Sequence, residues 1–104
     1  MTIRILIVDD SPYFRAAVKK TFQSHSSFTV AGEAEDGHKA LDMVKKLQPD
    51  VILIDYALPI MNGIETAKKI SGLYPNTKTG LISMFSDDVK QETARNGLCL
   101  CFAP

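Results

Sequence analysis

Two short apolar runs, each closed by acid, constrain this chain more than any other feature. Ile5-Leu6-Ile7-Val8 runs into Asp9-Asp10, and Val51-Ile52-Leu53-Ile54 runs into Asp55. Unbroken runs of β-branched residues and leucine at this length mark strands buried on both faces, as in a parallel sheet. In open α/β sheets, ligands bind outside the carboxyl ends of such strands. If the two strands are neighbours, three carboxylates meet at one rim. That is costly unless a cation sits among them or a pKa shifts. Carboxylate-rich oxygen sites suit Mg2+. The two runs therefore point to a site for a hard cation and a phosphate.

The rest of the chain alternates strand and helix signals. Residues 3–8 read as a strand. Ser11-Pro12 follows as an N-cap with proline at the first helical position, and Phe14, Ala17, Val18 and Phe22 keep helical spacing to about residue 24. Residues 28–34 alternate and read as a more exposed strand. Gly37 starts a second helix, with Ala40, Leu41, Val44 and Leu47 on one face; Pro49-Asp50 ends it and leads into a strand at 51–55. Leu58 to Gly63 is a loop by its Pro and Asn-Gly signals, and Asn62 is placed to cap the next helix. That third helix covers 64–73, with Ile64, Ala67, Ile70 and Leu73 inward. A fourth strand is expected at 81–84, a polar helix from Asp87 to about Asn96, and a fifth strand at 98–102.

This alternation predicts right-handed βαβ units and a parallel sheet. Its most amphipathic strand, 28–34, belongs at an edge. The expected fold is therefore a flavodoxin-like, doubly wound, five-stranded parallel sheet in the order 2-1-3-4-5. That order sets the first and third strands side by side, so that Asp9, Asp10 and Asp55 face one crevice. The pattern ends one helix short of such a sheet, and the final helix is expected to be lacking. The whole of 1–104 reads as one domain.

Asp9-Asp10 after the first strand, Asp55 after the third, and Pro59, Met61 and Gly63 in the next loop resemble the receiver domain of bacterial response regulators. Ser83 matches that family's hydroxyl position at the end of the fourth strand. Gly32-Glu33-Ala34-Glu35-Asp36-Gly37 with Lys39-Ala40-Leu41 is similar to it as well, and the likeness extends to about Gly97. Its flavour is that of receivers usually joined to a helix-turn-helix output. The resemblance implies a phosphoacceptor module of two-component signalling that acts in the cytoplasm and is phosphorylated on Asp55 by a sensor histidine kinase or a small phosphodonor. It further implies Mg2+ held by Asp10, Asp55 and the main-chain carbonyl of Ala57, with Asp9 acting through a water. Ser83 would hydrogen-bond the phosphoryl group. A homodimer through the face of the fourth helix and fifth strand is also expected.

Two positions depart from the family pattern. The family's lysine near the end of the fifth strand falls at Pro104 when counted from Gly97, and one residue beyond it when counted from Ser83; neither register supplies a lysine here. The switch aromatic falls at Cys101 in the first register and at Phe102 in the second. These departures leave a second reading open, a module for protein interaction or dimerisation that works without phosphorylation.

Other classes fit less well. A phosphatase with an aspartate nucleophile needs an acid-base aspartate two residues later, where this chain has Ala57; a turnover enzyme is not expected. A flavin carrier needs a phosphate-cradling loop after the first strand, where Asp9-Asp10 would repel the phosphate. The balance of 12 basic and 12 acidic residues leaves no footprint for nucleic acid, and no apolar stretch reaches membrane-spanning length. Cys99 and Cys101, one residue apart, read as apolar filler. The lysine pairs at 19–20, 45–46 and 68–69 read as solvated helix faces.

Overall fold

The computed structural model describes residues 2–55, 62–83 and 99–102, with the backbone alone at 82–83 and 99–102. The four strands β1 (Ile3–Val8), β2 (Phe28–Ala34), β3 (Val51–Asp55) and β4 (Lys78–Ser83) form a parallel sheet in the order β2-β1-β3-β4. The backbone of Cys99–Phe102, β5, runs parallel beside β4, with Gly80 opposite Cys99 and Ser83 opposite Phe102. The helices among the described residues are α1 (Pro12–Gln23), α2 (Gly37–Leu47) and α3 (Gly63–Leu73).

The two apolar runs are buried on both faces, as their composition requires. Side chains alternate across a strand, and the alternation divides the core in two. Leu6, Val8, Ile52, Ile54 and Leu81 pack with Ala40, Val44, Ile64, Ala67 and Ile70 of α2 and α3. Ile5, Ile7 and Leu53 face the other way, against Phe14, Val18 and Phe22 of α1. Each of the fully buried isoleucines and leucines contributes roughly 1.5–3 kcal/mol.

β2 is half-buried along most of its length and lies at the sheet edge. Its register with β1 shifts by one residue between Ile5, opposite Val30, and Leu6, opposite Gly32. Gly32 then lies under α2: a Cβ there would meet Met43 Cε at 2.7 Å and Leu47 Cδ1 at 2.8 Å. Glycine at this position allows the helix its close approach to the edge strand.

Each helix begins on a side-chain cap. Ser11 Oγ accepts from Phe14 N–H at 3.2 Å, Asp36 Oδ1 from Lys39 N–H at 2.8 Å, and Asn62 Oδ1 from Glu65 N–H at 2.9 Å. α2 ends at Gln48, which takes the left-handed conformation (φ 47°) without being glycine. Arg4 secures that end by donating from Nη1 to the carbonyls of Leu47 at 2.6 Å and Gln48 at 3.2 Å.

Four local expectations change. Ala17 is exposed, because it lies about 100° round the helix from Val18, off the stripe made by Phe14, Val18 and Phe22. Phe14, Phe22 and Leu41 flank the core rather than fill it. Leu73 is 66% exposed, and Thr66 is fully buried. Thr66 and Leu73 are seven residues apart and so within about 20° of each other round the helix; their different burial follows position along α3, of which Leu73 is the last residue. β4 starts at Lys78 rather than Leu81, since Lys78 pairs opposite Val51 and its N–H reaches Asp50 O at 3.0 Å. Ladder pairing needs only backbone, so polar Lys78 and Thr79 join the strand. The expected loop at 58–61, Met84 and the expected helix at 87–96 lie outside the described residues.

Candidate metal centre

β1 and β3 are direct neighbours, with Val8 opposite Ile54. The residues that follow these two, Asp9 and Asp55, therefore emerge together at the carboxyl edge of the sheet. Asp9, Asp10 and Asp55 each bring one carboxylate oxygen into a group in which all three lie within 4.8 Å of one another. Asp9 is only 5% exposed, Asp55 is half-buried and Asp10 is open to solvent. The expected convergence of the three acids is thus present in the fold.

Asp9 is held from three sides. Its N–H donates to Ala34 O at 3.0 Å, which ties it to the end of β2. Its Oδ1 accepts from Ser11 N–H at 2.8 Å. Its carbonyl accepts from Arg15 Nη1. Burial raises the Asp9 pKa to about 6, against the pull of the Ser11 N–H. The charges of Asp55 and Asp10, and a hydrogen bond with the Asp10 side chain, push it the same way.

The donor set fits a hard divalent cation. All three groups offer oxygen, and Mg2+ takes oxygen ligands at about 2.0–2.1 Å, so two of its ligands lie no more than about 4.2 Å apart. A small side-chain rotation closes the difference for the exposed Asp10.

The other expected site residues are placed by backbone or not at all. Asp55 pairs opposite Ile82, which puts Ser83 one position further along the neighbouring strand at the same edge. Cys101 pairs opposite Ile82 and Phe102 opposite Ser83. The side chains of Ser83, Cys101 and Phe102, and all of Ala57, lie outside the described residues.

One group beside the acids was not foreseen from sequence. Arg15 Nε lies 3.4 Å from Glu33 Oε1, and Lys19 Nζ lies 3.5 Å from Glu33 Oε2. Lys19 therefore takes part in an ion-pair network rather than a free solvated face. A signal was available: a cation near the start of a helix opposes the helix dipole and calls for a nearby acceptor. Here Asp9 O accepts a hydrogen bond from Arg15 Nη1, and Glu33 supplies an opposite charge at ion-pair distance.

Among the described residues no helix is long and apolar enough to cross a membrane.

Comparison with known proteins agrees with this geometry. The family model of the response regulator receiver domain matches residues 5–99. The chain is 38% identical over 86 residues to the uncharacterized transcriptional regulatory protein YxjL of Bacillus subtilis, covering 83% of this chain and 39% of that protein. Over 95 residues it is 40% identical to protein-glutamate methylesterase/protein-glutamine glutaminase 2 of Photobacterium profundum, covering 91% of this chain and 23% of that protein. The response regulator domain of Thermotoga maritima CheB superposes with a TM-score of 0.88 at 34% identity, covering 99% of this chain and 78% of that one. The signal receiver domain of the putative response regulator NarL from Mycobacterium tuberculosis gives 0.90 at 31%, covering 97% and 83%. The chain thus spans well under half the length of these curated relatives.

Proposed function

Because the chain belongs to the response regulator receiver domain family of two-component systems, we propose that it is a phosphoacceptor module whose Asp55 takes a phosphoryl group in a Mg2+-dependent reaction. Receiver domains bind Mg2+ at an acidic pocket and interact with histidine kinases. The observation that carries the reading is the meeting of Asp9, Asp10 and Asp55 within 4.8 Å at the carboxyl edge of the sheet.

In this reading 1–104 act as a single receiver domain. Asp10, Asp55 and the Ala57 carbonyl hold the ion, and Asp9 orients a water on it. Bound Mg2+ supplies the positive charge that offsets repulsion between a carboxylate and an incoming phosphoryl group. An Asp55 oxygen attacks phosphorus as the bond to the donor breaks, and the donor leaves with the electron pair. The hydroxyl of Ser83 then donates to a phosphoryl oxygen. Phe102 or Cys101, in the fifth strand at the far side of β4, carries the change to a partner surface, which a second copy of the chain could share. The donor is a sensor histidine kinase or a small phosphodonor, and the site works in the cytoplasm. The esterase and glutaminase activities named for the Photobacterium relative belong to a protein of which this chain spans 23%. This domain's own chemistry ends at phosphoryl uptake and loss.

The test is intact mass after incubation with acetyl phosphate and Mg2+, beside an Asp55→Asn control. One phosphoryl adduct, absent without Mg2+ and absent in the control, is expected. A folded, Mg2+-loaded protein that forms no adduct would overturn the reading. It would leave the phosphorylation-independent interaction module in its place.

A further inference from the structure

We propose that Arg15 is a positioning residue for the acidic site: its guanidinium holds the main-chain carbonyl of Asp9 and, braced by Glu33, sets the turn from which Asp9 and Asp10 present their carboxylates. The inference rests on the phosphoacceptor reading for its purpose, but its geometry stands apart from it.

Asp9 and Asp10 lie between the end of β1 and the cap of α1, in a stretch with no ladder partner on the β3 side beyond Val8. Its hold comes from a few bonds. Ala34 O takes the Asp9 N–H, Ser11 N–H reaches Asp9 Oδ1, and Arg15 Nη1 takes the Asp9 carbonyl. Only the last reaches back from the helix body to the turn through a side chain. Arg15 is fixed in its turn. Its side chain is 17% exposed, and Nε, shielded from solvent and without a hydrogen bond of its own, lies at ion-pair distance, 3.4 Å, from Glu33 Oε1. Glu33 is the penultimate residue of β2 and also pairs with Lys19. The planar guanidinium can serve a carbonyl and a carboxylate at once, which a lysine ammonium does with poorer geometry. Arg15 thus links α1, β2 and the acidic turn through the Asp9 carbonyl and the Glu33 carboxylate. Residues that orient metal ligands from behind typically change metal affinity by 10–100-fold when removed.

The experiment compares wild type with Arg15→Met, Arg15→Lys, Glu33→Gln and Lys19→Met, all in the full chain. Two readouts are taken: Mg2+ affinity by calorimetric titration, and hydrogen exchange of the Ser11 amide without metal. Arg15→Met keeps the apolar stem and removes the fork. It is expected to weaken Mg2+ binding by about tenfold or more and to speed exchange at Ser11. Arg15→Lys should recover part of both. Lys19→Met, which removes the other ion pair to Glu33, should stay within about twofold of wild type. If Arg15→Met melts lower but binds Mg2+ like wild type, its role is structural and the proposal is overturned. If Arg15→Met does not fold, unchanged affinity in both Arg15→Lys and Glu33→Gln overturns it equally. A wild-type protein that takes up no Mg2+ would sink the phosphoacceptor reading. In that case unchanged exchange at Ser11 would separately sink the positioning role.

Discussion

The main-chain N–H of Ser11 donates to Asp9 Oδ1 at 2.8 Å, while the Oγ of the same Ser11 accepts from Phe14 N–H at 3.2 Å. One residue therefore both starts α1 and anchors the buried acid of the site. The two roles use different atoms and can be separated. Ser11→Ala removes the cap and leaves the N–H in place, so stability should fall by about 1 kcal/mol with Mg2+ affinity unchanged. Ser11→Pro removes both bonds and should weaken both. Urea denaturation and metal titration of the two variants check this; a loss of Mg2+ affinity in Ser11→Ala would contradict it.

The raised pKa of Asp9, about 6 against an ordinary 3.8, gives the metal-free protein a pH dependence of definite sign. Below about pH 4 the group is protonated both folded and unfolded. As pH rises toward 6, the unfolded chain ionises first, so stability from this group is lost with rising pH. The Mg2+-free protein should therefore melt higher near pH 5 than near pH 7.5 through this group. Asp9→Asn should raise the melting temperature at pH 7.5, with the gain shrinking on acidification. Thermal melts of both proteins across that range decide the matter, and an Asp9→Asn protein no more stable than wild type at pH 7.5 would contradict it.

Protons and Mg2+ compete for the same oxygens. Mg2+ binding should weaken as pH falls from 7.5 to 5.5. Asp10→Asn should weaken it by about tenfold or more at either pH while leaving the metal-free fold intact, because Asp10 is exposed. Calorimetric titrations at the two pH values measure both effects.

Ser83 ends β4 one position beyond the partner of Asp55. If its hydroxyl meets the phosphoryl group, Ser83→Ala should bind Mg2+ within about twofold of wild type. Its phosphoryl uptake should slow by about tenfold or more. Ser83→Thr should keep most of the rate. Time courses of adduct formation by intact mass distinguish the three proteins.

Gly32 sits where a Cβ would press on the flexible ends of Met43 and Leu47. Both ends can move, so Gly32→Ala should cost only about 1 kcal/mol, and Gly32→Val more, toward the upper end of the roughly 1–3 kcal/mol range for overpacking. Denaturation midpoints give the order.

Much of the architecture was legible along the chain, because it rests on local periodicity. The unbroken runs at 5–8 and 51–54 specify strands buried on both faces, the alternation at 28–34 an edge strand, and Ser11 and Asn62 the helix starts. The acidic closures of β1 and β3 mark the site for the same reason: a strand of known direction delivers its next residue to a known edge. What periodicity misjudged was which positions of a face reach the core. Ala17 lies off the stripe of Phe14, Val18 and Phe22 and is exposed, and Leu73 shares a face with buried Thr66 but stands at the very end of α3 and is exposed too. The start of β4 at Lys78 was equally illegible, because pairing with Val51 depends on a neighbouring backbone and not on side-chain hydropathy.

The amino-acid sequence by itself determined that this is an alternating α/β chain with three carboxylates at strand ends, since strand burial, capping and direction are written in neighbouring residues. Only the tertiary structure decided the environment of those carboxylates. Asp9 is buried and Asp10 is exposed although they are adjacent in sequence, and that difference raises one acid's pKa. The tertiary structure also brought Arg15 and Glu33, distant in sequence, behind the acidic turn. Desolvation and charge coupling depend on distances through space, and the packing of α1 and β2 around β1 sets them.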